Sequence, residues 1–169
     1  MKKLLILLLI STFFGCQTAK VNNHKGANQN RLFPYGTYEH AVTVKVKRPQ
    51  EKSYHFNGVV KLGEERIEIV AMSFLGTTEF RIQDDFKTKA IKVDIYRDSV
   101  KQFEPRLREY YGILKLIFEL PPQPPTDIKW KNQVIHFVVT SYDKDGVPEK
   151  IHVVHTDFDI DIKVTSYDI

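Results

Sequence analysis

The hydrophobic pattern of this chain changes period twice, and the order of those changes restricts the fold more than any single motif. Apolar and polar residues first alternate in successive short runs at 41–47, 53–62, 66–72, 77–83 and 90–96. Alternation marks half-buried strands, because successive side chains point to opposite faces. Arg48-Pro49-Gln50, Gly63-Glu64-Glu65 and Asp84-Asp85 read as turns between runs, and Gly58 as a bulge inside the second. The third and fourth runs form IEIVAMSFLGTTEFRI, Ile67 to Ile82, two strands around a tight turn with an apolar tip. Val100, Phe103, Leu107, Tyr110, Tyr111, Leu114, Ile117 and Phe118 then recur at steps of three and four, the period of an amphipathic helix. Asp98 or Ser99 is the expected N-cap, and Pro105 should divide the helix into a short first piece and a longer one over about 106–120. Pro121-Pro122-Gln123-Pro124-Pro125 ends it and forms a stiff connector. Alternation resumes at 127–130, 133–141, 149–156 and 160–166, with Asp143-Lys144-Asp145-Gly146 as a hairpin turn. Strands, one helical segment, then strands predict an α+β fold, mainly antiparallel β: a curved sheet with a helix packed in its concavity.

The N-terminal end has a different character. Met1-Lys2-Lys3 is positive, Leu4 to Ile10 is apolar but too short to span a bilayer, and Gly15 precedes Cys16. This arrangement resembles the lipobox of bacterial lipoproteins. The resemblance implies a signal peptide over 1–15, acylation of Cys16 and a palmitate-type lipid anchor, though an ordinary secretory signal is the alternative. Cys16 is the only cysteine, so the chain cannot form an internal disulfide. Gln17, where Asp would signal inner-membrane retention, implies the outer membrane and a periplasm-facing protein. Residues 16–35 are expected to be the lipidated Cys and a flexible polar tether, and 36–169 the folded domain. Without Lys2 and Lys3 the 25 basic residues fall to 23 against 21 acidic ones, which leaves no nucleic-acid footprint.

No motif points to catalysis. The six histidines include His152 and His155, whose spacing puts them on opposite faces of a strand, and no compact metal-ligand set occurs. Asp157, Asp159 and Asp161 alternate as a solvent-facing row would. No nucleophile elbow, phosphate-cradling Gly loop or calcium loop is present. The chain is therefore expected to be no enzyme, with no catalytic residue, metal or cofactor.

Apolar placement says more. A curved sheet with an aromatic helix across it could enclose a cavity for acyl chains, or the same side chains could fill the core, which is their ordinary use. The cavity candidates on strands are Phe56, Val70, Phe80, Val93 and Phe137. Those on the helix are Phe103, Leu107, Tyr111, Leu114 and Phe118. Phe74 and Leu75 at the hairpin tip could protrude or fold back on the sheet.

The run Phe74-Leu75-Gly76-Thr77-Thr78-Glu79-Phe80 resembles the Pro-Leu-Gly-(Ser/Thr)-Thr-Glu-Leu turn of the LolB-like outer-membrane lipoproteins. Leu116-Ile117-Phe118-Glu119-Leu120-Pro121 is similar to that family's helix end, and Val147 to Ile151 with Ile160 to Val164 to its closing hairpin. Phe74 replaces the family's turn proline, and 17–35 is too polar for the helix that usually precedes its first strand. The resemblance implies a curved incomplete β-barrel with a helical lid or plug and an apolar cavity. It also implies a chaperone-like role: acyl chains of lipoproteins are accepted from a LolA-type periplasmic carrier and delivered to the outer membrane. Phe74, Leu75 and Gly76 would form the membrane-contact loop, with Leu75 protruding. Two alternatives stay open: an accessory envelope lipoprotein binding another amphiphile or a protein partner, and a structural lipoprotein with no ligand.

Overall fold

A computed structural model describes residues 30–48 and 50–169. Cys16, the expected signal peptide and most of the expected tether lie outside the described residues. The elements are β1 (Gly36–Val46), β2 (Lys52–Leu62), β3 (Arg66–Met72), β4 (Thr78–Asp85), β5 (Ala90–Ile95), α1 (Asp98–Lys101), α2 (Glu104–Phe118), β6 (Asp127–Trp130), β7 (Gln133–Tyr142), β8 (Pro148–Val154) and β9 (Phe158–Asp168). Among the described residues the nine strands belong to one antiparallel sheet in the order β5-β4-β3-β2-β1-β9-β8-β7-β6. The sheet does not close, and the expected curved, incomplete barrel is the fold.

Alternation decides which side chains face the concavity. Tyr38, His40, Val44 and Val46 of β1 are buried, and across β2 so are Val60 and Leu62. Ile67, Ile69 and Ala71 continue the inner face on β3, and Phe80, Ile82 and Asp84 on β4. Ile135, Phe137, Ile151, Val153, Phe158, Ile160 and Ile162 supply it from the other half of the sheet. Each fully buried aliphatic or aromatic side chain contributes about 1.5–3 kcal/mol.

α2 spans the opening between the two sheet edges. On the β6 side Trp130 lies 3.5 Å from where a side chain on Gly112 would begin, and Lys131 reaches Glu109 at 3.3 Å. On the β5 side Arg108 Nη1 donates to the Ile91 carbonyl at 3.4 Å. The helix therefore covers backbone that an open sheet would leave unpaired. Its seat is fixed by a buried acid. The Tyr111 hydroxyl (2.5 Å) and Lys115 ammonium (2.7 Å) both donate to Asp84 Oδ2, and Asp84 is 2% exposed. Burial, and then the bond to Asp84, pushes the Tyr111 hydroxyl well above the usual phenol range.

Several expectations need correction. Asp84-Asp85 is not a turn. Both residues end β4, and Asp84 points inward because α2 satisfies its carboxylate; the chain turns afterwards, where Asp85 Oδ1 accepts from the amides of Lys87 and Thr88. Neither Asp98 nor Ser99 caps the helix: Arg97 occupies the N-cap of α1, with no side-chain bond. Pro105 separates the two helices as expected, sitting in the first turn of α2 where its missing N–H is harmless. Gly58 is no bulge, since its register with β1 and β3 is continuous. Bulges fall instead at Glu39/His40 against β9, at Ala71/Met72 and after Val139.

The domain also begins earlier than residue 36. Leu32 and Phe33 are buried, and the Leu32 amide donates to the Leu120 carbonyl at 2.7 Å. Phe33 meets the rings of Tyr38 and Phe118 edge-on at 5.4 and 5.6 Å. The Tyr38 hydroxyl donates to the Pro34 carbonyl at 2.6 Å. This cluster closes the end of the barrel where α2 terminates.

Asp84→Asn should lower unfolding free energy by about 2–4 kcal/mol, because it weakens both bonds in a dry site. The triple change Asp84→Leu, Tyr111→Phe, Lys115→Met should restore most of that, since apolar packing replaces the ion pair without a desolvation penalty. Urea unfolding of the three proteins checks both expectations.

Candidate functional site

Between the concave face and α2 lies a largely apolar cavity of about 610 Å³, within the range typical of small-molecule sites. Of the expected lining residues, Phe56, Phe80, Phe103, Leu107, Tyr111, Leu114 and Phe118 border it. Three do not. Val70 sits between the inward-facing Ile69 and Ala71 and so belongs to the outer face. Val93 packs on the core from β5, opposite Ile82, without reaching the space. Phe137 is 1% exposed and consumed by the core. Alternation was legible for Val70; helix placement, which excludes Val93 and Phe137, was not.

The wall of the cavity has a gap at its inner end. Gly58 stands directly across from His40 in the β1–β2 register, and both border the space. A side-chain carbon on Gly58 would meet nothing nearer than the Val70 carbonyl at 3.8 Å. His40 is 4% exposed, and its Nδ1 has no hydrogen-bond partner among the described residues. Sequence reasoning left His40 aside as one histidine among six. Its signal is the alternation of β1, which places it on the apolar side. Burial holds its pKa down at about 4, opposed weakly by the Tyr38 backbone carbonyl. The imidazole is therefore neutral at ordinary pH.

The outer end of the cavity is polar. Lys52 and Ser53 open β2, Glu79 lies near the start of β4, and Arg97, Gln102 and Arg106 come from the helical side. Arg97 Nη1 donates to Glu79 Oε1 at 2.5 Å. The Tyr54 and Phe103 rings, 5.6 Å apart, form the apolar shoulder below.

The β3–β4 turn protrudes at this same end. Phe74 is 91% and Leu75 87% exposed. The turn is held by its backbone: the Ser73 amide donates to the Thr77 carbonyl at 2.8 Å and the Gly76 amide to the Ser73 carbonyl at 2.9 Å. Ser73 Oγ accepts from the Thr77 amide at 3.2 Å. Gly76 has φ of +79°, the left-handed region that a side chain would strain. The expected tip is therefore exposed at both apolar positions, Phe74 as well as Leu75.

Among the described residues the other histidines have structural partners, His55 Nδ1 meeting Thr43 Oγ1 at 3.0 Å. His152 Nδ1 meets Asp161 Oδ1 at 2.6 Å, His136 meets Asp127 at 2.5 Å, and His155 contacts Gln133 and stacks on Phe158 at 4.5 Å. Asp159 pairs with Lys47 and Asp161 also with Lys45, so the acidic row is a neutralised outer face. Among the described residues no group of three or more His, Cys, Asp or Glu is placed to hold a metal, and no helix is long and apolar enough to cross a membrane. A second depression, about 630 Å³, lies mostly on the outer face under Phe74, where Ala41 and Thr43 are small. None of the buried unpartnered polar atoms borders it.

Because His40 binds its proton less readily when folded than at its ordinary pKa of 6.5, the unfolded chain takes up more protons between pH 6.5 and 4. Stability contributed by neutral His40 should thus fall as pH drops through that window, by up to about 3 kcal/mol, and level off below it. His40→Gln should flatten this part of the profile, as measured by the difference between the two proteins in denaturant unfolding at each pH. No protein-family model matches this chain, and no curated protein matches it.

Proposed function

We propose that this is a lipid-anchored protein of the outer membrane, facing the periplasm. In this reading it takes an acyl chain of a lipoprotein, or of another amphiphile, into the cavity beneath α2. The Phe74–Leu75 tip then brings the loaded domain against lipid for delivery. One observation supports it above the others. A largely apolar cavity has its polar outer end on the side of the sheet from which two exposed apolar residues project.

The energies suit a carrier. About ten buried methylenes at ~0.8 kcal/mol each give ~8 kcal/mol, a micromolar affinity before the costs of association. That is strong enough to extract a chain from water and weak enough to release it to a bilayer. Phe74 and Leu75 gain roughly 1.5–3 kcal/mol each on entering lipid. Such a gain cannot hold a protein at a membrane alone, but it orients one already tethered through Cys16. A LolA-type carrier is the donor that the resemblance suggests.

Two variants test the two halves of this proposal on delipidated protein with an environment-sensitive acyl probe. Gly58→Leu fills the inner end of the cavity and should weaken probe binding roughly tenfold while leaving thermal stability intact. Leu75→Glu should bind the probe normally yet transfer it to phospholipid vesicles several-fold more slowly, since the tip no longer enters lipid. Normal transfer by Leu75→Glu would remove the tip from the mechanism. Failure of the wild-type protein to bind any probe would leave a structural lipoprotein with a filled core.

A further inference from the structure

The two ends of the cavity differ in charge as well as in exposure. At the inner end Phe33, Phe118 and neutral His40 close the space. At the outer end three cations, Lys52, Arg97 and Arg106, accompany one carboxylate, Glu79. Glu79 is the only acidic residue bordering the cavity among the described residues, and Arg97 holds it. Other carboxylates of the helices and the neighbouring strand are committed elsewhere. Asp98 pairs with Lys101 at 2.7 Å, Glu104 with Arg108 at 3.1 Å, Glu109 with Lys131 at 3.3 Å, and Asp159 with Lys47 at 2.7 Å. Glu51, beside Lys52, and Asp157, near Tyr110, lie outside the lining. Lys52 and Arg106 make no salt bridge among the described residues, so cations outnumber carboxylates three to one in the lining of the mouth.

We infer that the cavity takes a single-chain amphiphile with an anionic head group, carboxylate or phosphate, bound tail-inward with the head between Lys52 and Arg106. The inference rests on the acyl-chain reading above and adds polarity and orientation to it. The guanidinium of Arg106 presents a planar fork of donors that matches a carboxylate or phosphate, and Lys52 adds a compact second charge. Ser53, Ser99 and Gln102 border the same rim and offer neutral donors to the remaining oxygens. The reverse orientation would bury an ionised head against Phe33 and Phe118, where nothing charged compensates it. A cationic head would meet like charge at the mouth.

Binding of palmitate, palmitoyl lysophosphatidylglycerol and monopalmitoylglycerol to the delipidated full chain, measured by displacement of the acyl probe, tests this. At low salt the tighter of the two anionic ligands should bind about tenfold better than the neutral glyceride, and the gap should shrink as salt rises. A lead for palmitate identifies a carboxylate ligand, and a lead for the lysolipid a phosphate one. Lys52→Gln with Arg106→Gln should erase the preference while leaving the glyceride unchanged. Salt titration of the wild-type protein gives the same discrimination without any substitution. Equal affinity for all three in the wild type, or parallel loss of all three in the variant, would overturn the inference. No binding of any of them to the wild type would instead overturn the acyl-chain reading on which it stands.

Discussion

The carboxylate of Asp84 is the point on which the arrangement of this molecule turns. A strongly curved antiparallel sheet with free edges at β5 and β6 needs a cover, and α2 provides it. Apolar contacts alone leave a helix free to slide or rotate over a smooth concave face. A buried acid accepting from Tyr111 and Lys115, one helical turn apart, admits one axial position and one rotation. That position carries Leu107 and Leu114 over the sheet and leaves Tyr110 near the mouth. The cavity is what remains when the helix is held at a height set by a polar contact instead of sinking until the apolar surfaces meet.

That height explains why the wall was only partly legible beforehand. Strand periodicity located every strand among the described residues, and 66–72 and 127–130 coincide with β3 and β6, but β1 begins five residues before the run 41–47 that marked it. It also carried the information that Val70 faces outward. What alternation cannot carry is distance across the concavity. Phe80 and Phe137 look alike in sequence, yet one borders empty space and the other is enclosed. Asp84 was misplaced for a related reason: Asp-Asp is a turn signal until a tyrosine and a lysine on a distant helix make its burial favourable. Leu32 and Phe33 were overlooked because their flanks are polar and short, and only Leu120, Tyr38 and Phe118 reveal why they are ordered.

The tip was legible for the opposite reason. Its shape is dictated locally, by Ser73, by Gly76 and by the ladder on either side, and no distant residue has to be known. Gly76 takes the left-handed angle the turn needs, and the two residues before it project into solvent. Hydrophobic side chains there lie outside the energetics of folding.

The β7–β8 turn brings out what this means for the whole particle. Its amide of Asp143 bonds the Val147 carbonyl, its Gly146 amide bonds the Asp143 carbonyl, and Asp143 Oδ1 receives the Val147 amide. Gly146 has φ of +80°, so the turn repeats the three bonds of Ser73–Thr77 and adds one, from the Asp145 amide to Asp143 Oδ1. The strands that carry it run so that it emerges at the other end of the sheet, and its crest is Lys144-Asp145 in place of Phe74-Leu75. One backbone mould has thus been cast twice, greasy at one pole and salty at the other. The same short loop thus costs the fold the same whichever side chains ride on its crest, so the composition of each crest is free to be set by something other than folding.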